Sequence, residues 1–475
     1  MKIALPKIIQ GGMGVGVSNW HLAQAVSKLG QLGVVSGTGL DQVLARRLQE
    51  GDLGGEVRRA LAHFPFPQMA HRILDALFIP GGKKSHEPYK TFAKGSLKSS
   101  RWFDELCIVS NYVEVFLARE GHSNPVGINY LEKIQLPHLP SAYGAMLAGV
   151  AVVIVGAGIP VEFPKVLDSL TQHDAVSYTI RIQGATPEMD CHRLFDPAQF
   201  IEEGVSLPTL NRPDFLPIIS SDSLATMMLR RAGSSVEGFV IEGPTAGGHN
   251  APPRGKLQLT EDGEPIYGVR DVVNLEAMRK IGSPFWLAGE CGSAEGLATA
   301  LEKGAAGVQV GTPFALCSES GLTPEIRHAL IRKALAGEGH VRTDPLASPT
   351  GFPFKVAQLE GTLSEAEVYA ARQRVCCMGY LHEPYVKADG SIGYRCAAEP
   401  IDAYLAKGGK LEDTVGRKCI CSGLFGNIGL GQVCSNNKTE PAIVTLGDDF
   451  VNVGRFCSSG QIDYTAADVV RVMLG

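Results

Sequence analysis

The 475-residue sequence has no long basic run and little charge imbalance: 44 Lys and Arg stand against 49 Asp and Glu, for a formal net charge of -5. Nucleic acid is therefore not expected as its main partner. Its 56 glycines show no period, which excludes a collagen-like chain. Its 11 cysteines are odd in number and the chain is long, so a secreted disulfide framework is not expected. No apolar run is both long and unbroken. Residues 139–161 carry no charge and would be long enough to span a bilayer. However, Pro140 and Pro160 bound that stretch and Gly144, Gly149, Gly156 and Gly158 interrupt it. It reads as a short helix followed by a buried strand at 151–155. Residues 1–16 lack the layout of a secretory leader, because Pro6, Lys7 and glycines break the apolar runs. The expectation is a soluble, cytoplasmic protein with no membrane span.

What is present favours a large core. Hydrophobic residues make up 44% and charged residues 20%, a composition that excludes extensive disorder. Short β-branched runs at 7–10, 33–36, 126–129, 151–155, 216–220, 239–242, 285–288 and 307–310 predict eight strands. Amphipathic helix patterns at 19–29, 223–231 and 294–303 follow the first, fifth and seventh. Most of the runs are continuously apolar, as expected for parallel strands covered on both faces. Eight such units predict a (β/α)8 TIM barrel, with a doubly wound open sheet as the competing architecture. Insertions are expected at about 49–106, mostly helical, and at 177–211, with an extra strand at 176–183. The barrel pattern covers residues 1–320. Residues 321–475 read as an appended, cysteine-rich C-terminal region that packs on the barrel.

Three glycine-rich segments fall at strand ends, where barrel active sites are built. The first is Gly11-Gly12-Met13-Gly14, with Gly16 close behind. It lacks the acidic residue of a dinucleotide fingerprint. Its glycines let backbone pass close to a flat or anionic ligand. The second is the pair of loops after strands seven and eight, where Gly289, Gly292, Ser293, Gly311 and Thr312 can offer donors to a phosphate. The third is Ile241-Glu242-Gly243-Pro244-Thr245-Ala246-Gly247-Gly248-His249-Asn250. A histidine behind two glycines at a strand end can serve as general base or as proton donor to a developing anion. Cys291 lies in the phosphate loop, where nearby N–H groups are expected to lower its pKa, although packing is its expected role.

Together, Gln10-Gly11-Gly12-Met13, Gly127-Ile128-Asn129, Ala246-Gly247-Gly248-His249 and the Ala-Gly and Gly-Thr loops resemble the nitronate monooxygenase (2-nitropropane dioxygenase) family. The resemblance runs over residues 5–320, in order. That superfamily of FMN-binding barrels also holds flavin-type enoyl-acyl-carrier-protein reductases and the trans-acting enoyl reductases of polyunsaturated fatty acid synthases. The resemblance implies that Gly11, Gly12 and Met13 lie along the flavin ring and that Asn129 contacts the flavin or its ribityl chain. It places Gly247 and Gly248 on the flavin side of the pocket. It implies that Gly289, Gly292, Gly311 and Thr312 hold the FMN phosphate and that His249 is the active-site histidine. Gln183 is a further candidate contact. Two departures stand out: Asn250-Ala251-Pro252-Pro253 follows the histidine where Arg-Gly is usual, and Glu290 replaces a glycine.

The resemblance implies oxidation of an alkyl nitronate or similar carbanionic substrate with O2. Its alternative is NAD(P)H-dependent reduction of an enoyl thioester, including one on acyl carrier protein. A homo-oligomer is compatible with either. Cys376, Cys377, Cys396, Cys419 and Cys421 form a dense thiol group, but none is spaced Cys-x2-Cys. They could hold zinc or an iron–sulfur cluster, or be buried reduced core thiols. Residues 417–430 resemble the tail of the trans-acting reductases, and that segment could close over the barrel mouth. A third reading is a non-catalytic flavin-binding barrel carrying a metal-held interaction module.

Overall fold

The computed structural model describes residues 2–435 and 438–475. Eight strands form the central sheet: β1 (Ile8–Gln10), β2 (Gly33–Ser36), β3 (Val126–Leu131), β4 (Val152–Gly156), β5 (Asp214–Ile219), β6 (Phe239–Glu242), β7 (Phe285–Ala288) and β8 (Gly307–Val310). Each pairs in parallel with its neighbour, in the order β1-β8-β7-β6-β5-β4-β3-β2. The two ends meet at Ile9 and Leu32. There Gln10 N–H donates to the Leu32 carbonyl at 2.9 Å and Leu32 N–H to the Ile8 carbonyl at 3.1 Å. The sheet is thus a (β/α)8 barrel, not an open doubly wound sheet.

Strand alternation divides the core into two layers. Ile9, Leu32, Val34, Val152, Ile154, Leu216, Val240 and Trp286 fill the barrel interior. The Trp286 indole N–H donates to the Pro6 carbonyl at 2.8 Å, tying the N-terminal approach segment to that plug. The alternate residues, such as Ile8, Val35, Val153 and Phe215, pack outward against the helices. The interior is filled, and the cavity that gathers the glycine loops lies at the C-terminal end of the barrel.

Side-chain caps fix several helix starts. Asn19 accepts from Leu22 N–H before helix Trp20–Lys28, and Ser293 accepts from Gly296 N–H before helix Ala294–Glu302. The uncharged stretch 139–161 resolves into helix His138–Leu147 and strand β4, as its prolines and glycines predict. No helix among the described residues is long and apolar enough to cross a membrane. The first insertion holds helices Glu56–Leu61, Pro67–Leu77 and the start of Arg101–Arg119, with a non-helical stretch between the last two. The second holds an antiparallel pair, Val176–Thr179 and His192–Phe195, rather than one strand.

The chain after residue 320 takes part in the barrel itself. Its last helix, Ala466–Leu474, packs against both Trp20–Lys28 and Ala294–Glu302, where the helix after β8 of a (β/α)8 barrel belongs. Two antiparallel pairs, Val341–Asp344 with Phe354–Ala357 and Glu383–Val386 with Ile392–Arg395, stand over the C-terminal end of the barrel.

Candidate active site at the C-terminal end of the barrel

Strand ends and a C-terminal lid enclose a cavity of about 200 Å³. Gly11, Gly12, Met13, Asn129, Gly247, Gly248, His249, Gly289, Gly311 and Thr312 all line it. Ser18 shapes the first glycine loop: its Oγ accepts from Met13 N–H at 2.9 Å and donates to the Gly11 carbonyl at 2.8 Å. A Cβ on Gly12 would fall 2.3 Å from Asn129 Cβ, so only glycine fits beside that asparagine. Gly289, at φ +107, lies against Thr245, where a Cβ would sit 2.6 Å from Oγ1.

The histidine loop is pinned from the C-terminal region. Gly248 N–H donates to Thr445 Oγ1 at 2.8 Å, and Lys355 N–H donates to the Gly248 carbonyl at 2.9 Å. Asn250 gives the first departure a structural role: its Nδ2 donates to the Ala246 carbonyl at 3.0 Å and closes the loop. His249 Nε2 lies 2.7 Å from Ser348 Oγ, and its ring meets Phe354 edge-on at 4.8 Å. Burial, with the Lys133 charge adding to it, holds the His249 pKa well below its ordinary value. Burial thus favours the uncharged imidazole, which offers one N–H donor and one acceptor nitrogen.

A second chamber of about 640 Å³ opens from the first. His249, Glu242, Ile134, Ala157, Ile218, Tyr380 and Leu381 belong to both walls. Glu242 ends β6, and Lys133 follows β3. Burial pushes the Glu242 carboxyl up to about 7, against the pull of Lys133. Burial likewise pushes Lys133 down to about 7, against Glu242. Lys133 lies in no sequence motif, and Glu242 opens the histidine segment with no role of its own there; the fold brings both to the chamber wall that His249 shares. Ser348, Thr445 and Asp449 were equally invisible, because the region that supplies them has no barrel periodicity.

The phosphate end is built differently from the expectation. Gly292 and Ser293 do not line the cavity. Gly292 N–H donates to Asp449 Oδ2 at 2.8 Å, and Ser293 caps its own helix. Among the described residues, the N–H groups of Glu290, Gly311 and Thr312 donate to no protein acceptor and remain available. Glu290 sits in the left-handed region, at φ +53, with its side chain exposed. Cys291 also departs from expectation: burial, then Asp449, raises its thiol to about 11.

These residues fit FMN. The glycines give a flat ring close backbone walls, and the buried Gln309 Oε1 on the cavity wall has no donor in the protein, an acceptor a flavin N–H or ribityl hydroxyl would satisfy. The free N–H groups after β7 and β8 would hold the phosphate. Gln183 is not part of this site: its backbone pairs with Pro384 and Val386, and its side chain accepts from Arg395.

Ile420, Cys421 and Leu424 line the first cavity, so the segment around them does close over the barrel mouth. Cys376, Cys396, Cys419 and Cys421 border a separate gap of about 10 Å³ with His382, while Cys377 lies 3.6 Å from Ser422 Oγ. Among the described residues, no three His, Cys, Asp or Glu are grouped so as to hold a metal ion. Burial raises the Cys396, Cys419 and Cys421 thiols, which favours the protonated form over the thiolate a metal needs.

Residues 213–344 match the family model for nitronate monooxygenase. That stretch carries the histidine loop and both loops after β7 and β8. The chain resembles the nitronate monooxygenase family. A nitronate monooxygenase of Pseudomonas aeruginosa is 38% identical over 111 residues, which is 23% of this chain and 28% of that relative's length. Gly11–Met13 and Asn129 lie outside the part matched by the nitronate monooxygenase model. Among solved structures, FabK from Thermotoga maritima aligns with a TM-score of 0.47 at 16% identity, over 99% of this chain and 91% of its own. The enoyl reductase domain of MlnA from Bacillus amyloliquefaciens gives 0.48 at 10%, over 98% and 93%. Nitroalkane oxidase from Streptomyces ansochromogenes gives 0.39 at 17%, over 74% and 77%.

Proposed function

We propose that the protein is an FMN-dependent oxidoreductase of the nitronate monooxygenase type, acting on an alkyl nitronate or a similar carbanionic substrate with O2. The observation that carries this reading is His249: a neutral imidazole, fixed by Ser348 and Phe354, at the junction between a glycine-walled cavity and a second chamber. When bound, the flavin supplies the electron-transfer chemistry and the reaction with O2. The chain supplies the rest. Gly11, Gly12, Met13 and Asn129 would shape a wall for the ring, and Gly247 and Gly248 line the same cavity. The N–H groups of Glu290, Gly311 and Thr312 would hold the phosphate, and the lid of Ile420, Cys421 and Leu424 would exclude water. His249 orients the substrate's anionic oxygen by hydrogen bonding, or takes the proton of a neutral carbon acid and generates the anion in place.

The size of the second chamber favours a second reading, NAD(P)H-dependent reduction of an enoyl thioester, free or on acyl carrier protein. About 640 Å³ exceeds the need of a small nitronate and would admit an acyl chain. In that reading His249 stands near the thioester carbonyl.

Anaerobic mixing of the FMN-loaded protein with an alkyl nitronate, NADH or NADPH separates the two readings. Bleaching by the nitronate alone is expected. Bleaching by a nicotinamide alone would move the assignment to the reductase. His249→Ala should retain FMN and lose turnover, and loss of FMN instead would mean that the histidine belongs to the cofactor site.

A further inference from the structure

Lys133 presents an unusual balance of forces. It follows β3 on the wall of the larger chamber, and its Nζ is buried without a hydrogen-bond partner. A Phe352 ring centroid lies 3.6 Å from that nitrogen. The neighbouring carboxylate in sequence, Glu132, is already engaged: Tyr178 Oη and Gln135 Nε2 each donate to it at 2.8 Å. Glu242 acts on Lys133 through charge alone. An ammonium has three donors, and burying them unsatisfied is costly unless a ligand completes them. Lys133 and His249 both line the larger chamber, so an anion held there can meet both. Its four-carbon stem lets the ammonium follow such a ligand, with the aromatic face of Phe352 behind it.

We propose that Lys133 is the anion anchor of the substrate chamber, and that the protein takes an elongated substrate whose planar, negatively charged head lies between Lys133 and His249 while an apolar tail fills the larger chamber. Ile159, Ile180, Ile219, Leu224 and Met378 supply the apolar wall for that tail. A nitronate and a carboxylate share this head: both are planar, carry two oxygens and bear one negative charge. The inference deepens the nitronate reading and rests on it for the identity of the head group.

The test is calorimetric titration of the full-length, FMN-loaded protein with octanoate and with its neutral isostere octanamide. The wild type should prefer octanoate by tenfold or more. Lys133→Met should reduce that preference to within twofold and leave octanamide affinity unchanged, while Lys133→Arg should keep the preference. Retained FMN and an unchanged or higher melting temperature establish that the Met variant is folded. Equal affinities in the wild type, or an undiminished preference in Lys133→Met, would overturn the proposal, as would octanoate binding no more tightly than butanoate. Anaerobic mixing with octane-1-nitronate, or with NADPH and 2-octenoyl-pantetheine, tests the underlying reading separately. An octanoate preference that depends on Lys133, with no response to the nitronate, would keep the anchor and discard the nitronate reading.

Discussion

His249 is placed by contacts on both sides of the chain, and its variants should separate chemistry from positioning. His249→Ala is expected to lower kcat by about 10²–10⁴-fold with FMN content unchanged. Ser348→Ala should lower kcat by roughly tenfold, since the ring loses its partner at Nε2 but keeps Phe354. Asp449 makes a prediction of the opposite sign. Its carboxylate sits on Gly292 N–H at the cavity wall, where a phosphate would repel it. Asp449→Asn keeps an acceptor for Gly292 and removes the charge, so FMN should bind about three- to tenfold tighter while riboflavin is unaffected. Fluorescence titration with both flavins checks this. Lys133 adds a pH dependence of stability. Its folded pKa is depressed to about 7 from 10.5. Stability from this group is therefore present above pH 10.5 and is lost as pH falls towards 7. Lys133→Met removes the penalty and should stabilise the protein at pH 7 by roughly 1–3 kcal/mol, a gain that fades towards pH 10.5. Chemical denaturation at both ends of that range measures it.

At the scale of elements, the strands were legible because parallel barrel strands are covered on both faces and write their burial directly into the sequence. β2, β6, β7 and β8 fall where their apolar runs place them. β5 starts earlier than its run, at Asp214, because ladder pairing with β4 extends beyond the apolar residues. The antiparallel pair in the second insertion was read as one strand, since its exposed, alternating second half, His192–Phe195, carries little hydrophobic signal. Glycine loops were legible for a related reason: Gly12 leaves no room for a side chain beside Asn129. Gly12→Ala should therefore weaken FMN binding by tenfold or more, with the circular dichroism spectrum retained. Gly292 and Ser293 stand off the cavity lining, and nothing local in the sequence announces that a carboxylate from residue 449 takes the Gly292 donor. The helix Ala466–Leu474 supplies the test of barrel closure. Val469 is fully buried there, and Val469→Asp should cost more than about 3 kcal/mol, seen as a large drop in melting temperature.

For the whole molecule, the C-terminal region is where the sequence said least and the structure says most. It completes the outer ring of helices, pins the histidine loop through Thr445 and Lys355, positions His249 through Ser348, and lids the cavity through Ile420, Cys421 and Leu424. Sequence periodicity could not reveal these contacts, because they join residues separated by about 100–200 positions and depend on loops rather than on regular elements. The cavity is therefore a product of the entire chain, with one glycine wall from its first half, the histidine loop and the loops after β7 and β8 from its middle, and the groups that fix His249 from its end. The most direct test of that account is the anaerobic absorbance of the FMN-loaded protein near ~450 nm, followed after mixing with an alkyl nitronate. The account predicts rapid bleaching by the nitronate in the wild type and its loss in His249→Ala with FMN still bound. Failure to retain FMN even after reconstitution, or bleaching that is indifferent to His249, would contradict it.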